Sequence, residues 1–293
     1  MLRKIATILF AIMFFVGLGV LTYPTISNQW NTYRQNQLIS DYTARVEELE
    51  PADFTEEWTM ANALNSTITE NNICADVFGE TLEDADETQY RQALNINGDG
   101  IMGYIDIPKI NVKVALYHGT SNTVLQEGVG HMNGTSLPIG GAGTHSVLAG
   151  HRGLPSKKIF TDIDQLEPGD VFYIRVLDET LAYEVDQVIP MIEATDVDTL
   201  SEALAIREGE DYVSLFTCTP YGVNTHRLIV RGTRIPYDET LIADDSTPAA
   251  VVMENVRDYY MIYAEAGLAV AMILIIILRL ISLRREKRSK EGL

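Results

Sequence analysis

The chain has 293 residues, 46% of them hydrophobic and 22% charged, enough apolar material for a sizeable core in one large domain or two small ones. Its formal net charge of −19 hides an asymmetry, because eight of the 22 Lys and Arg sit at the extreme ends beside two acids. The segment between holds 14 basic against 39 acidic residues, a net charge near −25 that repels a phosphate backbone and excludes nucleic acid as a partner.

Arg3 and Lys4 precede an uncharged apolar run, Ile5 to Tyr23, long enough to cross a bilayer. A cleaved signal peptide shares those basic and apolar regions, but no small-x-small cleavage site precedes Tyr23-Pro24. Residues 1–24 are therefore expected to be an uncleaved transmembrane anchor, with a signal segment as the rival reading. Residues 25–70 are polar and rich in helix formers, and Leu38, Tyr42, Val46 and Leu49 recur at roughly helical spacing. This predicts one or two amphipathic helices, a helical stalk. Residues 71–98 begin as an acidic, loop-like stretch.

From residue 99 to 237 the pattern changes to short apolar runs punctuated by Gly, Pro, Asn and Asp. The runs Met102–Ile107, Val112–Tyr117, Ser146–Ala149, Val171–Leu177, Leu181–Ile189, Tyr212–Thr217 and Leu228–Gly232 read as strands. Seven or eight short strands at close spacing predict a mainly β protein with a closed β-barrel. Short helices are expected around Lys158–Ile163 and Thr199–Ala205. A linker (238–260) leads to a second apolar segment, Met261–Leu283, with Glu265 and Arg279 near its ends, where charges snorkel to the interface. The tail, 284–293, is basic and predicts a cytoplasmic end; Arg3 and Lys4 make the same demand of the first segment. Both termini inside, with everything between them outside, satisfies both.

The two cysteines, Cys74 and Cys218, are too few for a disulfide framework, and neither has the CxxC spacing of a zinc site. No cofactor or metal ligand set is evident. Cys218 ends the strand-like run Tyr212–Thr217. Pro220 and Gly222 then break the chain into a loop, and Arg227-Leu228-Ile229-Val230-Arg231 resumes a strand. Cys218 at one strand tip and Arg227 at the next strand's start can face one cleft. A nearby cation lowers a thiol's pKa and can hold a developing oxyanion. Arg152 and Arg231 are the alternatives. Of the five histidines, His118 and His131 lie in turn-like contexts and read as structural. His145 alternates in phase with Val147 and Ala149 on the strand leading to His151, and His226 should point away from Arg227.

The run Leu215-Phe-Thr-Cys218-Thr-Pro-Tyr-Gly-Val-Asn-Thr-His-Arg227 resembles the active-site signature of sortases, nearest to their class C, pilin-polymerising branch. Three further stretches are similar to the same branch: Met102-Gly-Tyr-Ile-Asp-Ile-Pro108-Lys109-Ile, Tyr117-His-Gly-Thr120, and Thr144-His-Ser-Val-Leu-Ala-Gly-His151-Arg152-Gly-Leu-Pro155. Together they span about residues 90 to 237 in order. The resemblance implies the sortase barrel, with Cys218 as nucleophile, His151 as general acid/base and Arg227 as stabiliser of the oxyanion and substrate. It also implies a lid, an Asp-Pro-aromatic loop in the active site. Here Asp76-Val77-Phe78 keeps the acid and the aromatic and lacks the proline. With Cys74 two residues before Asp76, a lid over the cleft would let Cys74 and Cys218 bridge as a redox lock; an ordinary thiol is the other reading.

The implied reaction cleaves an LPxTG-like sorting signal between Thr and Gly and joins the Thr carboxyl to a pilin lysine, building covalent pili. Its partners would be LPxTG-bearing pilins or surface proteins at the membrane of a Gram-positive-type surface. A housekeeping sortase that anchors proteins to cell-wall precursor is the alternative, ahead of a hydrolytic cysteine protease or a non-catalytic assembly scaffold.

Overall fold

The computed structural model describes residues 2–70, 87–154 and 156–238, with isolated helical positions at Met272, Ile276 and Arg279. Cys74, Asp76 and Phe78 lie outside the described residues, as do the basic tail and almost all of the linker and of 261–283. The chain divides into two compact units, Met1–Gln29 with Thr247–Leu293, and Trp30–Ser246.

Helix α1 (Leu2–Glu47) contains Pro24. From Thr7 it is, among the described residues, the one helix long and apolar enough to cross a membrane. In the second unit its polar half lies on the barrel through two buried side chains, Gln35 and Tyr42. Gln35 donates from Nε2 to the Glu127 carbonyl (2.6 Å) and accepts at Oε1 from the Ala115 amide (2.9 Å). Tyr42 Oη donates to the Met102 carbonyl (3.0 Å) and accepts from the Leu177 amide (2.8 Å). Helix α2 (Pro51–Thr67) starts with Pro51 at its first turn and a capping box from Glu50 and Asp53, which satisfies otherwise orphaned amides. A short helix α3 (Glu87–Gln92) leads into the barrel.

The barrel strands are β1 (Ile101–Ile107), β2 (Val112–His118), β3 (Val129–His131), β4 (Thr144–Ala149), β5 (Val171–Val176), β6 (Glu179–Glu193), β7 (Asp211–Thr219) and β8 (His226–Ile235). They close in the order β1-β2-β3-β4-β7-β8-β6-β5, so the expected closed barrel is present, and no sheet edge is left open. The β2–β3 and β4–β7 pairs are parallel and the rest antiparallel. The sequence reading places no strand at β3, since three residues around Gly130 carry no visible alternation. Strand β6 outruns its predicted limit at Ile189 because the chain passes Pro190 through a register shift between Ile189 and Ile192, where a missing amide donor is tolerated.

Strand alternation divides the β4–β7–β8 sheet into two faces. Leu148, Leu215 and Val230 point into the barrel core. Val147, Ala149, Phe216 and Ile229 form a second, outer core. That outer core is covered by Leu125 of α4 (Asn122–Glu127) and by Leu200 of α5 (Val197–Ala203) with Leu204 just beyond it. The expected helix near Thr199–Ala205 is α5, shifted by two residues. The one expected at Lys158–Ile163 is absent, and only a 3₁₀ turn, Ile163–Gln165, follows. Ile159 and Phe160 are buried in the barrel core instead, and the Phe160 amide donates to the His151 carbonyl (3.1 Å), which holds the segment as a loop.

Candidate active site

Cys218 and Arg227 are cross-strand partners in the β7–β8 ladder. Phe216 and Ile229, two residues further along each strand, pair in the same register and face the outer core, so Cys218 and Arg227 share that face. Both are buried. Arg227 Nη1 donates to the carbonyls of Asn224 (2.9 Å) and His226 (3.0 Å), which fixes the guanidinium against the β7–β8 loop. That loop turns through Gly222 (φ 72°) and Asn224 (φ 63°), left-handed conformations suited to those two residue types.

His151 arrives on the adjacent strand. Parallel pairing of β4 with β7 sets Ala149 beside Phe216, and the ladder continues one step as the Gly150 amide donates to the Phe216 carbonyl (3.1 Å). Thr217 Oγ1 donates to the Gly150 carbonyl (2.6 Å). These contacts carry His151 to the end of the sheet where Cys218 sits, in phase with Val147 and Ala149. The imidazole is half-buried, and burial lowers its pKa from the ordinary histidine value.

The other arginines have different work. Arg231 pairs with Asp186 and lies over the Tyr212 ring (4.3 Å to its centre). Arg152 pairs with Asp164. The remaining histidines are held by structural partners. His145 lies within hydrogen-bonding distance of the Ala205 carbonyl (Nδ1, 2.9 Å) and Ser214 Oγ (Nε2, 2.8 Å), and burial lowers its pKa to about 4. His131 contacts Tyr90 Oη and the Ser136 carbonyl, and burial likewise lowers it to about 4. His118 spans the carbonyls of Gly100 and Ala93. His226 meets Thr225 Oγ1 and pairs in register with Thr219, one step out of phase with Arg227.

Several residues that shape the site escape sequence inspection. Gly150 is needed for space, since a Cβ there would lie 2.6 Å from the Phe160 ring. At Gly153 (φ 91°) a Cβ would lie 2.8 Å from the Tyr221 ring, so the loop after His151 and the loop after Cys218 are in contact. Thr217 looks like any strand residue. Only contacts between distant segments reveal these roles.

Residues 105–235 match the Sortase domain family. Sortase C1 of Streptococcus agalactiae is 44% identical, with a TM-score of 0.61, and the match covers 69% of this chain and 100% of that one. The chain belongs to the sortase family. Sortases are cysteine transpeptidases, and the structural neighbours of this one are class C sortases. A Streptococcus pneumoniae sortase C, whose structure bears on catalysis and pilin substrate specificity, is 40% identical at a TM-score of 0.61, covering 69% of this chain and 97% of its own. Among curated relatives, Sortase SrtE1 of Streptomyces coelicolor is 33% identical over 137 residues, which is 44% of this sortase but 38% of SrtE1.

Proposed function

We propose that this sortase is a membrane-anchored, extracytoplasmic transpeptidase that cleaves an LPxTG-like sorting signal and transfers the acyl group to a pilin lysine. The observation that carries the reading is the cross-strand pairing of Cys218 with Arg227, with His151 brought to the same sheet end. The Cys218 thiolate attacks the carbonyl carbon of the signal threonine, forming a C–S bond. Arg227 donates to the oxyanion of the tetrahedral intermediate. As the C–N bond to glycine breaks, the His151 imidazolium gives its proton to the departing amine. The neutral lysine amine then attacks the thioester, the thiolate leaves, and His151 accepts the lysine's proton. The lowered pKa of His151 keeps the imidazolium fraction small at neutral pH, so only part of the enzyme holds the reactive ion pair at any moment.

The apolar half of α1 supports an N-terminal anchor, and the basic ends of the sequence support both termini being cytoplasmic, with 261–283 as a second span. The pilin as partner is supported by the Streptococcus pneumoniae neighbour, whose structure bears on pilin substrate specificity. Asp76 and Phe78 are the proposed lid residues, on the family pattern alone.

The test incubates the soluble portion, about residues 30 to 250, with an LPxTG pilin carrying its acceptor lysine. Products are followed by mass spectrometry beside Cys218→Ala. A Thr–Lys isopeptide ladder, absent in the control, establishes the polymerase. Transfer only to a cell-wall-type amine points to the anchoring reaction, and cleavage with no linkage to hydrolysis. If nothing reacts, Asp76→Ala and Phe78→Ala open the lid, and a folded protein that still forms no acyl-enzyme sinks the catalytic reading.

A further inference from the structure

Arg152 follows His151 in sequence, and its side chain is only 12% exposed. Its guanidinium reaches three residues in two segments, the 161–164 loop and the end of β7. Nε donates to the Thr161 carbonyl (3.2 Å), Nη1 to Thr219 Oγ1 (3.1 Å), and Nη2 to Asp164 Oδ2 (2.5 Å). Thr219 is the residue after Cys218. Thr161 follows Phe160, whose amide is bonded to the His151 carbonyl. Asp164 belongs to the 3₁₀ turn that closes the same loop. One planar side chain therefore ties the residue after the proposed general acid to the residue after the proposed nucleophile, and both to a common anchor.

We infer that Arg152 is a positioning residue for the transfer reaction, fixing the separation of His151 from Cys218. Asp164 neutralises its charge, which leaves the oxyanion role to Arg227 and sets the two arginines apart in function. Arginine suits the position because a guanidinium presents donors in a rigid fork, whereas a lysine ammonium supplies only a point charge on a flexible stem. The β4 strand ends at Ala149, the His151 carbonyl accepts from the Phe160 amide, and the Arg152 fork adds a tie to the β7 strand end at the next residue. A displacement of about 1 Å between reacting groups can cost on the order of 100-fold in rate, so a contact that touches neither substrate nor proton is felt in kcat.

The inference rests on Cys218 and His151 being the reacting pair, and the test separates the two claims. Donor peptide and amine acceptor are used to measure kcat and KM for wild type, Arg152→Lys and Thr219→Val, with Tm and Cys218 alkylation by iodoacetamide alongside. Arg152→Lys should lower kcat tenfold or more and leave KM within about twofold. Thr219→Val keeps the side-chain shape and the Arg152–Asp164 pair, and should lower kcat severalfold at a temperature where the variant is fully folded; it carries the test if Arg152→Lys folds poorly. Alkylation, which needs the thiolate but no transfer from His151, should stay within about twofold. Wild-type kcat in both variants, or losses in kcat that follow losses in Tm, would overturn the positioning role alone. Absence of a Cys218 thioester in the wild type would overturn the reading beneath it as well.

Discussion

Thr217 Oγ1 donates to the Gly150 carbonyl across 2.6 Å, a buried bond between residues 67 apart in sequence. One partner precedes Cys218 and the other precedes His151, so this bond joins the two strands at the step before the proposed catalytic pair. Replacing Thr217 with Val keeps the shape and removes the donor. Loss of a buried hydrogen bond that leaves its partner unsatisfied costs about 1–3 kcal/mol. Urea unfolding of Thr217→Val should show a stability loss in that range, and acyl-enzyme formation should slow with it. Unchanged stability would mean that water or another donor replaces the hydroxyl.

Gly150→Ala tests the same junction by crowding. The added methyl would meet the Phe160 ring at 2.6 Å and Ile159 Cγ2 at 3.0 Å, both in the barrel core. Overpacking of this kind costs typically about 1–3 kcal/mol, and relief by moving the backbone would displace His151. Thermal unfolding together with peptide cleavage should report a drop in both. A variant with wild-type values for each would show that Phe160 can yield without cost.

Tyr42→Phe isolates the hold of α1 on the barrel. The hydroxyl accepts from the Leu177 amide and donates to the Met102 carbonyl, and the residue is 2% exposed. Its removal changes no packing volume but strands two buried backbone groups, at a cost of about 1–3 kcal/mol. Denaturant titration of Tyr42→Phe should place the midpoint below wild type. Equal midpoints would remove Tyr42 from the account of how α1 is held.

Acid should weaken the fold through two buried histidines. Burial lowers His131 and His145 to about 4, against an unfolded value near 6.5, so the folded state binds fewer protons than the unfolded chain between those limits. Stability is therefore full above pH ~6.5 and is lost as pH falls toward about 4, at roughly 1.4 kcal/mol per pH unit for each histidine. Asp106 and Asp211, raised by burial, act in the opposite sense from the carboxylate range upward. Comparing urea midpoints at pH 7 and pH 5 for wild type and His145→Gln isolates the histidine share. The variant should lose less stability on acidification, and equal losses would refute the assignment.

Features that depend on local pattern were legible in the amino-acid order. Alternating apolar residues marked most barrel strands, Pro220 and Gly222 marked the loop after Cys218, and the uncharged run Ile5–Tyr23 marked the helix fit to cross a membrane. Resemblance to the sortase signature singled out Cys218, His151 and Arg227, whereas residue type alone left Arg152 and Arg231 open beside Arg227. Alternation tells which face a residue takes and does not tell which strand lies next to it. The neighbour relation was decided in three dimensions, where the parallel β4–β7 pairing brings residue 151 to residue 218 and the β7–β8 register sets Arg227 opposite Cys218. The same tertiary contacts gave Arg152 and Arg231 carboxylate partners, buried His131 and His145 among structural partners, and made a strand of Val129–His131 from residues with no strand pattern of their own. Each of these outcomes arises from contacts between segments far apart in the chain, whose energies come into being only when the barrel closes.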